Sequence, residues 1–260
     1  MKIIPFGFLL ISCIAYGETV LFQDNFDGSP GAVLNNRTPD IGQAAWVAGD
    51  SFKADGSVTG ETMATATVAF NPRSGNIYQL DVRFDCESLG TKWIGAGFSK
   101  GQSAESDNRL NRFSKSSQAL TTGQAWAILK GDPDQTTPNG NTAHANGTRN
   151  AAAFSGDLEV YAGIMDVRIV LDTTKQSWTA TWYAKPADDA DFTLVRPTMD
   201  LMDRNIDSVG LISNQGKGRF EYFSLKAVSE SPVNGRSERA PPQIKSSPNE
   251  EPQTLGLITG

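Results

Sequence analysis

Apolar residues in this chain recur at every second position, and no long stretch shows the i, i+3, i+4, i+7 spacing of an amphipathic helix. That period admits strands and little else. In 76–86, Ile77, Leu80, Val82 and Phe84 are set against Gln79, Asp81, Arg83 and Asp85, with one slip near Tyr78. The clearest hairpin lies at 166–184. Val167, Ile169 and Leu171 point one way, and Thr173-Thr174-Lys175-Gln176 makes the turn. Trp178, Ala180, Trp182 and Ala184 then share one face, opposite Thr179, Thr181 and Tyr183. Further strands are predicted over 19–26, 61–70, 93–98, 124–130, 191–195, 206–213 and 219–228. Strands at such short spacing, bounded by Gly, Asn, Asp and Pro, predict an all-β sandwich of two antiparallel sheets. Two polar stretches, 99–122 and 131–156, read as long loops, the places where a ligand is expected.

The two ends have a different texture. Met1-Lys2 precedes an apolar run from Ile3 to Tyr16, too short for a comfortable transmembrane helix. A basic start, a short apolar region and the small residues of Ala15-Tyr16-Gly17 predict a secretory signal over 1–17. Leu10-Ile11-Ser12-Cys13 also resembles a lipobox, in which case the signal is 1–12 and Cys13 carries a lipid anchor. Either way the chain is expected to be exported, to periplasm, outer surface or medium, with no membrane span in its mature part. Residues 229–260 hold five of the 13 prolines and no aromatic residue, which predicts a disordered tail. The remaining 18–228 is long enough to bury a core without disulfides or metals. With Cys13 set aside, Cys86 is a lone thiol ending a strand, read as a small apolar residue.

Charge excludes one class of partner. Against 23 Lys and Arg stand 29 Asp and Glu, a net charge of −6 with no basic block, so nucleic acid is not an expected partner.

The sandwich layout resembles the concanavalin A-like, laminin-G-type domains of exported bacterial proteins. Four segments carry the resemblance: the opening Leu21-Phe22-Gln23-Asp24-Asn25-Phe26-Asp27-Gly28; the turn Leu34-Asn35-Asn36-Arg37-Thr38-Pro39-Asp40 with Trp46; the Trp-rich hairpin at 167–182; and Arg219-Phe220-Glu221-Tyr222-Phe223-Ser224-Leu225. The resemblance implies a jelly roll whose last strand pairs with its first. It implies no activity, because the fold hosts lectins, adhesion modules, glycosidases and lyases. Glycosidases on this fold carry Glu-x-Asp-x-Glu or Glu-x-Asp-x-x-Glu on one strand. The only Glu-x-Asp here is Glu105-Ser106-Asp107, and no third acid follows. Asp81 and Asp85 share a strand face with Arg83 between them, the pattern of a solvated face. A lyase needs a base and a charge neutraliser, roles open to Tyr78 and Arg83.

Sugars stack on aromatic rings and bond to Asp, Asn and Arg. Trp93 and Trp126 border the long loops and are candidate platforms, with core packing as the alternative. Tyr183, opposite the Trp face, is a third. Arg109 and Arg112, with Asp107 and Asn108, are candidates for an acidic glycan. Asp24 and Asp27 near the first strand, with Glu221 in the last, are candidate ligands for a structural calcium ion if those strands pair. The reading taken forward is a non-catalytic carbohydrate- or matrix-binding module with a polysaccharide or surface glycan as partner. A groove lined by a Tyr, an Arg and an acid would instead favour a polysaccharide-degrading lyase or glycosidase. A flat polar face would favour a structural envelope protein.

Overall fold

The computed structural model describes residues 17–54, 58–60, 64–86, 93–101, 123–130, 140–145, 150–201, 204–214 and 218–228. Within them the strands are β1 Glu18–Asp24, β2 Ala32–Val33, β3 Val47–Ala48, β4 Phe52–Ala54, β5 Val58–Gly60, β6 Ala64–Ala69, β7 Ile77–Asp85 and β8 Trp93–Ser99. They continue as β9 Gly123–Lys130, β10 Thr142–Ala145, β11 Asn150–Ala153, β12 Ile164–Asp172, β13 Thr179–Pro186, β14 Thr193–Asp200, β15 Ser208–Asn214 and β16 Arg219–Val228. One 3-10 turn, Gly156–Glu159, precedes β12. No helix among the described residues is long and apolar enough to cross a membrane.

The strands form two antiparallel sheets of a jelly-roll sandwich. The nine-stranded sheet runs β14-β13-β12-β7-β16. Beyond β16 its edge is shared: β1 pairs with 223–228, and β5, leading to β4 and β2, pairs with 219–220. The last strand thus lies beside the first, as the resemblance implied. The seven-stranded sheet runs β11-β10-β9-β8-β15-β6-β3.

Alternation decides what lies between the sheets. In β7, Tyr78, Leu80, Val82 and Phe84 are buried, and the residues between them face outward. There is no slip at Tyr78. Its hydroxyl accepts the Arg73 N–H at 2.7 Å, which lets a polar-tipped ring take the inward position. In β13, Ala180, Trp182 and Ala184 turn in, and the Trp182 indole N–H crosses the core to the Trp126 carbonyl on β9 at 3.0 Å. Phe22, Trp46 and Phe223 pack edge to face at 5.1 to 5.5 Å between ring centres.

Several predicted boundaries shift. The strand predicted at 61–70 is β6, and the one predicted at 191–195 runs on to Asp200. The 131–156 stretch is not all loop, for β10 and β11 lie within it. Their inward residues include Ala143 and Ala145, too small to mark a strand by hydrophobicity. Asn141 fixes the corner before β10. Its side-chain oxygen accepts from Lys130 N, and its amide donates to the Leu158 and Tyr161 carbonyls. Cys86 is buried, and burial pushes its thiol well above the usual range, consistent with an inert core residue.

The outer face of the seven-stranded sheet has a glycine row. Gly210 on β15 pairs with Gly97 on β8, which pairs with Trp126 on β9. A Cβ at Gly97 would lie 2.2 Å from the Ala125 carbonyl oxygen and 2.9 Å from Trp126 Cγ. Gly97→Ala is therefore expected to cost about 1–3 kcal/mol by overpacking. Urea midpoints of the two proteins check this, and an unchanged midpoint would show that the strands spread freely there.

Candidate functional site

The outer face of the nine-stranded sheet begins as a checkerboard of charge. In the antiparallel register Arg83 stands opposite Asp166, and Asp81 opposite Arg168. Arg83 donates from Nε to Asp166 Oδ1 at 2.7 Å and from Nη2 to Oδ2 at 3.0 Å. Arg168 grips Asp81 in the same way, at 2.7 and 3.3 Å. Such bidentate pairs orient the guanidinium planes, though on a half-solvated face each contributes only about 0.2–1 kcal/mol. The bonds to Asp166 push the Arg83 guanidinium above its already high value, against a smaller opposing effect of burial. Lys185 of β13 lies 3.5 Å from Asp166. Phe192, between β13 and β14, sits under Arg168, whose Cζ is 4.0 Å from the ring centre.

A β-bulge supplies one wall. In β16, Phe220 stands opposite Phe84 and Tyr222 opposite Arg83, so Glu221 is the extra residue. Two consecutive side chains, Glu221 and Tyr222, consequently border the same space, which regular pleating forbids.

The corner after β1 supplies another. Phe26 adopts the left-handed φ of 57° and is fully buried. Asp24 holds that corner, because its Oδ1 accepts the Phe26 N–H at 2.8 Å. Asn25 is fixed in turn by its N–H and its side-chain amide, both donating to Asp40 Oδ2. With Phe26 driven inward, Asn25 and Asp27 flank the outer face. Together Asn25, Asp27, Asp81, Arg83, Asp166, Arg168, Phe192, Glu221 and Tyr222 enclose a groove of about 690 Å³, within the range of small-molecule sites.

The residues singled out from sequence fall in different places. Asp24 shares the inward face of β1 with Phe22 and is completely buried. Its oxygens accept from Arg37 Nη2, Trp46 Nε1 and Phe26 N, each at 2.8 Å. Burial pushes its carboxyl above the ordinary value, and these three donors pull it back. Asp27 and Glu221 are in the groove. The three do not meet, and Asp24 already faces a cation, so this set does not fit a calcium ion. Among the described residues no group of three or more His, Cys, Asp and Glu is placed to hold a metal. Tyr78 faces the core, on the opposite side of β7 from Arg83, so the two cannot serve one substrate. They stand five residues apart, an odd separation that puts them on opposite faces.

Tyr183 lies on the groove side of the sheet, paired with Arg168, but does not line the groove. Trp126 is fully buried on the outer face of the seven-stranded sheet, and Trp93, partly buried, packs against it and Ile212. Neither Trp is brought to the groove. Glu105, Asp107, Arg109 and Arg112 lie outside the described residues, as do residues 1–16 of the signal and the tail segment. Tyr222 was missed from sequence. The signal was there: apolar positions Phe220, Phe223 and Leu225 are spaced three and then two apart, which marks an inserted residue.

No model of a known protein family matches the chain, and no curated protein matches it. Among solved structures it is similar to an endo-1,3-beta-glucanase from Streptomyces sioyaensis, at 12% identity over 82% of this chain and 97% of that one, with a TM-score of 0.43. It is similar also to peanut lectin, at 9% identity over 83% and 100% of the two chains, TM-score 0.48. A third is lectin II from Ulex europaeus, at 13% identity over 80% and 97%, TM-score 0.47. At these identities the likeness is one of fold alone, and it says nothing of what this chain binds.

Proposed function

We propose that this is an exported, non-catalytic carbohydrate-binding module that holds a glycan in the groove on the outer face of its nine-stranded sheet. The observation that carries the reading is the groove's composition. Its floor is a lattice of mutually neutralised Asp–Arg pairs, and its rim offers Asn25, Asp27, Glu221 and the ring of Tyr222. Carboxylate and amide oxygens accept from sugar hydroxyls, and a ring packs against the apolar face of a pyranose. Asp81 and Asp166 are each gripped by a guanidinium, an arrangement suited to fixing a surface rather than moving protons.

A second reading, a secreted polysaccharide-degrading enzyme, has one observation in its favour. Tyr222, Arg83 and acidic groups do share one groove. The Arg83 fork, however, is occupied by Asp166 and is not free to neutralise a substrate carboxylate. The third reading, a structural envelope protein, sits poorly with a concave face of this size. Calcium in the form Asp24–Asp27–Glu221 is not part of the proposal.

The test is affinity electrophoresis of the full chain through gels cast with different polysaccharides. Retardation by at least one glycan, with the polymer intact and the effect unchanged by a chelator, is the expected result. Tyr222→Ala should weaken the binding at least about ten-fold, the equivalent of about 1.4 kcal/mol. A cleared track would replace the module with an enzyme. Unaltered mobility across a broad panel would sink both.

A further inference from the structure

The charge balance of the groove goes further than its shape. Three cations lie in or beside it, and all three are engaged. Arg83 is held by Asp166 and Arg168 by Asp81. Lys185 lies against Asp166 and donates to the Asp189 carbonyl. The carboxylates outnumber them. Asp27 and Glu221 line the groove beyond Asp81 and Asp166, and both Glu221 and Asp188 act on Arg83 electrostatically. Neither Asp27 nor Glu221 is in salt-bridge contact with a cation among the described residues. Four carboxylates thus line the groove against two guanidiniums, the acids still outnumber the cations when Lys185 beside it is counted, and no uncommitted positive charge stands there among the described residues.

Resting on the reading of this groove as a glycan site, we infer that its glycan bears free amino groups, as a deacetylated hexosamine polymer does. An ammonium on a sugar ring meets two carboxylates able to form charge-assisted hydrogen bonds, with Asn25 and Tyr222 beside them for hydroxyls. A uronate or sulfate ester would have to pull an Asp from its Arg, leaving that carboxylate unpaired, and would face Asp27 and Glu221 as like charges. An N-acetylated sugar can still donate to these carboxylates, but it is neutral and brings no charge to offset theirs. The discrimination is thus electrostatic and weakens with salt.

The experiment compares labelled glucosamine oligomers, their N-acetylated counterparts and galacturonate oligomers by fluorescence anisotropy on the full chain. The amino form is expected to bind at least about ten-fold more tightly than the acetylated one, and galacturonate not measurably. Asp27→Asn with Glu221→Gln should abolish that preference. A charge-matched control at exposed positions elsewhere, Asp50→Asn with Asp157→Asn, should keep it. If the double groove variant loses its fold by circular dichroism, Glu221→Gln alone is read for a reduced preference. Equal or tighter binding of acetylated or uronate oligomers would overturn the inference and leave the binding module standing. Preference surviving in the groove variant would also overturn it, by tracing the selectivity to net charge. Binding of no glycan in a broad panel would overturn the module and the inference together.

Discussion

Asp24→Ala is expected to lower the unfolding free energy by about 3–5 kcal/mol, the cost of removing a buried carboxylate from a partly buried ion pair and from two buried donors. In a domain of this size that is a fall in Tm of about 6–20 °C. Three donors lose their acceptor at once: the Arg37 guanidinium, the Trp46 indole and the Phe26 N–H. Trp46 and Phe26 are completely buried, so neither can turn to water for a replacement bond. The damage spreads in two directions. Inward, Trp46 belongs to the aromatic cluster with Phe22 and Phe223 that joins the first and last strands. Outward, the left-handed Phe26 is what places Asn25 and Asp27 beside the groove, so glycan affinity should fall with stability. Asp24→Asn keeps one acceptor oxygen and should cost less than the alanine variant. Denaturant titration of both proteins, and of Arg37→Met as the partner in a double-mutant cycle, measures the coupling. A loss under about 1 kcal/mol in the alanine variant would mean that desolvation of the carboxylate already offsets its bonds.

Asp24 also shows where sequence reasoning reaches its limit. Alternation placed the strands, their faces and the Trp-rich hairpin, because one buried face forces a period of two. It was enough to make the sandwich readable, whereas the first-to-last pairing was implied by the family resemblance alone. Asp24 was read as a ligand because it is charged, whereas strand parity with Phe22 already turned it inward; the partly buried partner that makes this tolerable, Arg37, is 13 residues away. The groove was harder still. Arg83 and Asp166 come together across 83 residues, a pairing fixed by the register of β7 on β12 and by no local motif. Tyr222 and Glu221 share a wall only because β16 is bulged. Alternation that fails in an otherwise clean strand is thus informative: in β16 it marks the site, while the slip read near Tyr78 came from setting Ile77 with the inward residues, a place that Tyr78 takes.

Between about pH 7 and about pH 5 the protein should lose about 2 kcal/mol of stability through a single side chain, His144. It is the one histidine of the chain. It sits on β10 opposite Trp126, largely buried, and shares a hydrogen bond with the Thr142 hydroxyl at 2.7 Å. Burial is the main cause that brings its pKa from 6.5 down to about 4, and the nearby Lys130 amine adds to it. Burial likewise lowers Lys130 from its ordinary value. The sign follows from proton counting. Below the unfolded value the unfolded chain takes up a proton that the folded chain refuses, so stability rises with pH through this window and is complete above it. Carrying acidification down to the folded value extends the loss to about 3 kcal/mol, by then mixed with carboxylate titration. Urea unfolding of the wild type and of His144→Asn at the two pH values isolates the effect. The variant is expected to show a flat response over the window, whatever its own baseline stability. Equal slopes in the two proteins would mean that the folded state accepts the proton, and that this stretch of β10 opens to water without unfolding the sandwich.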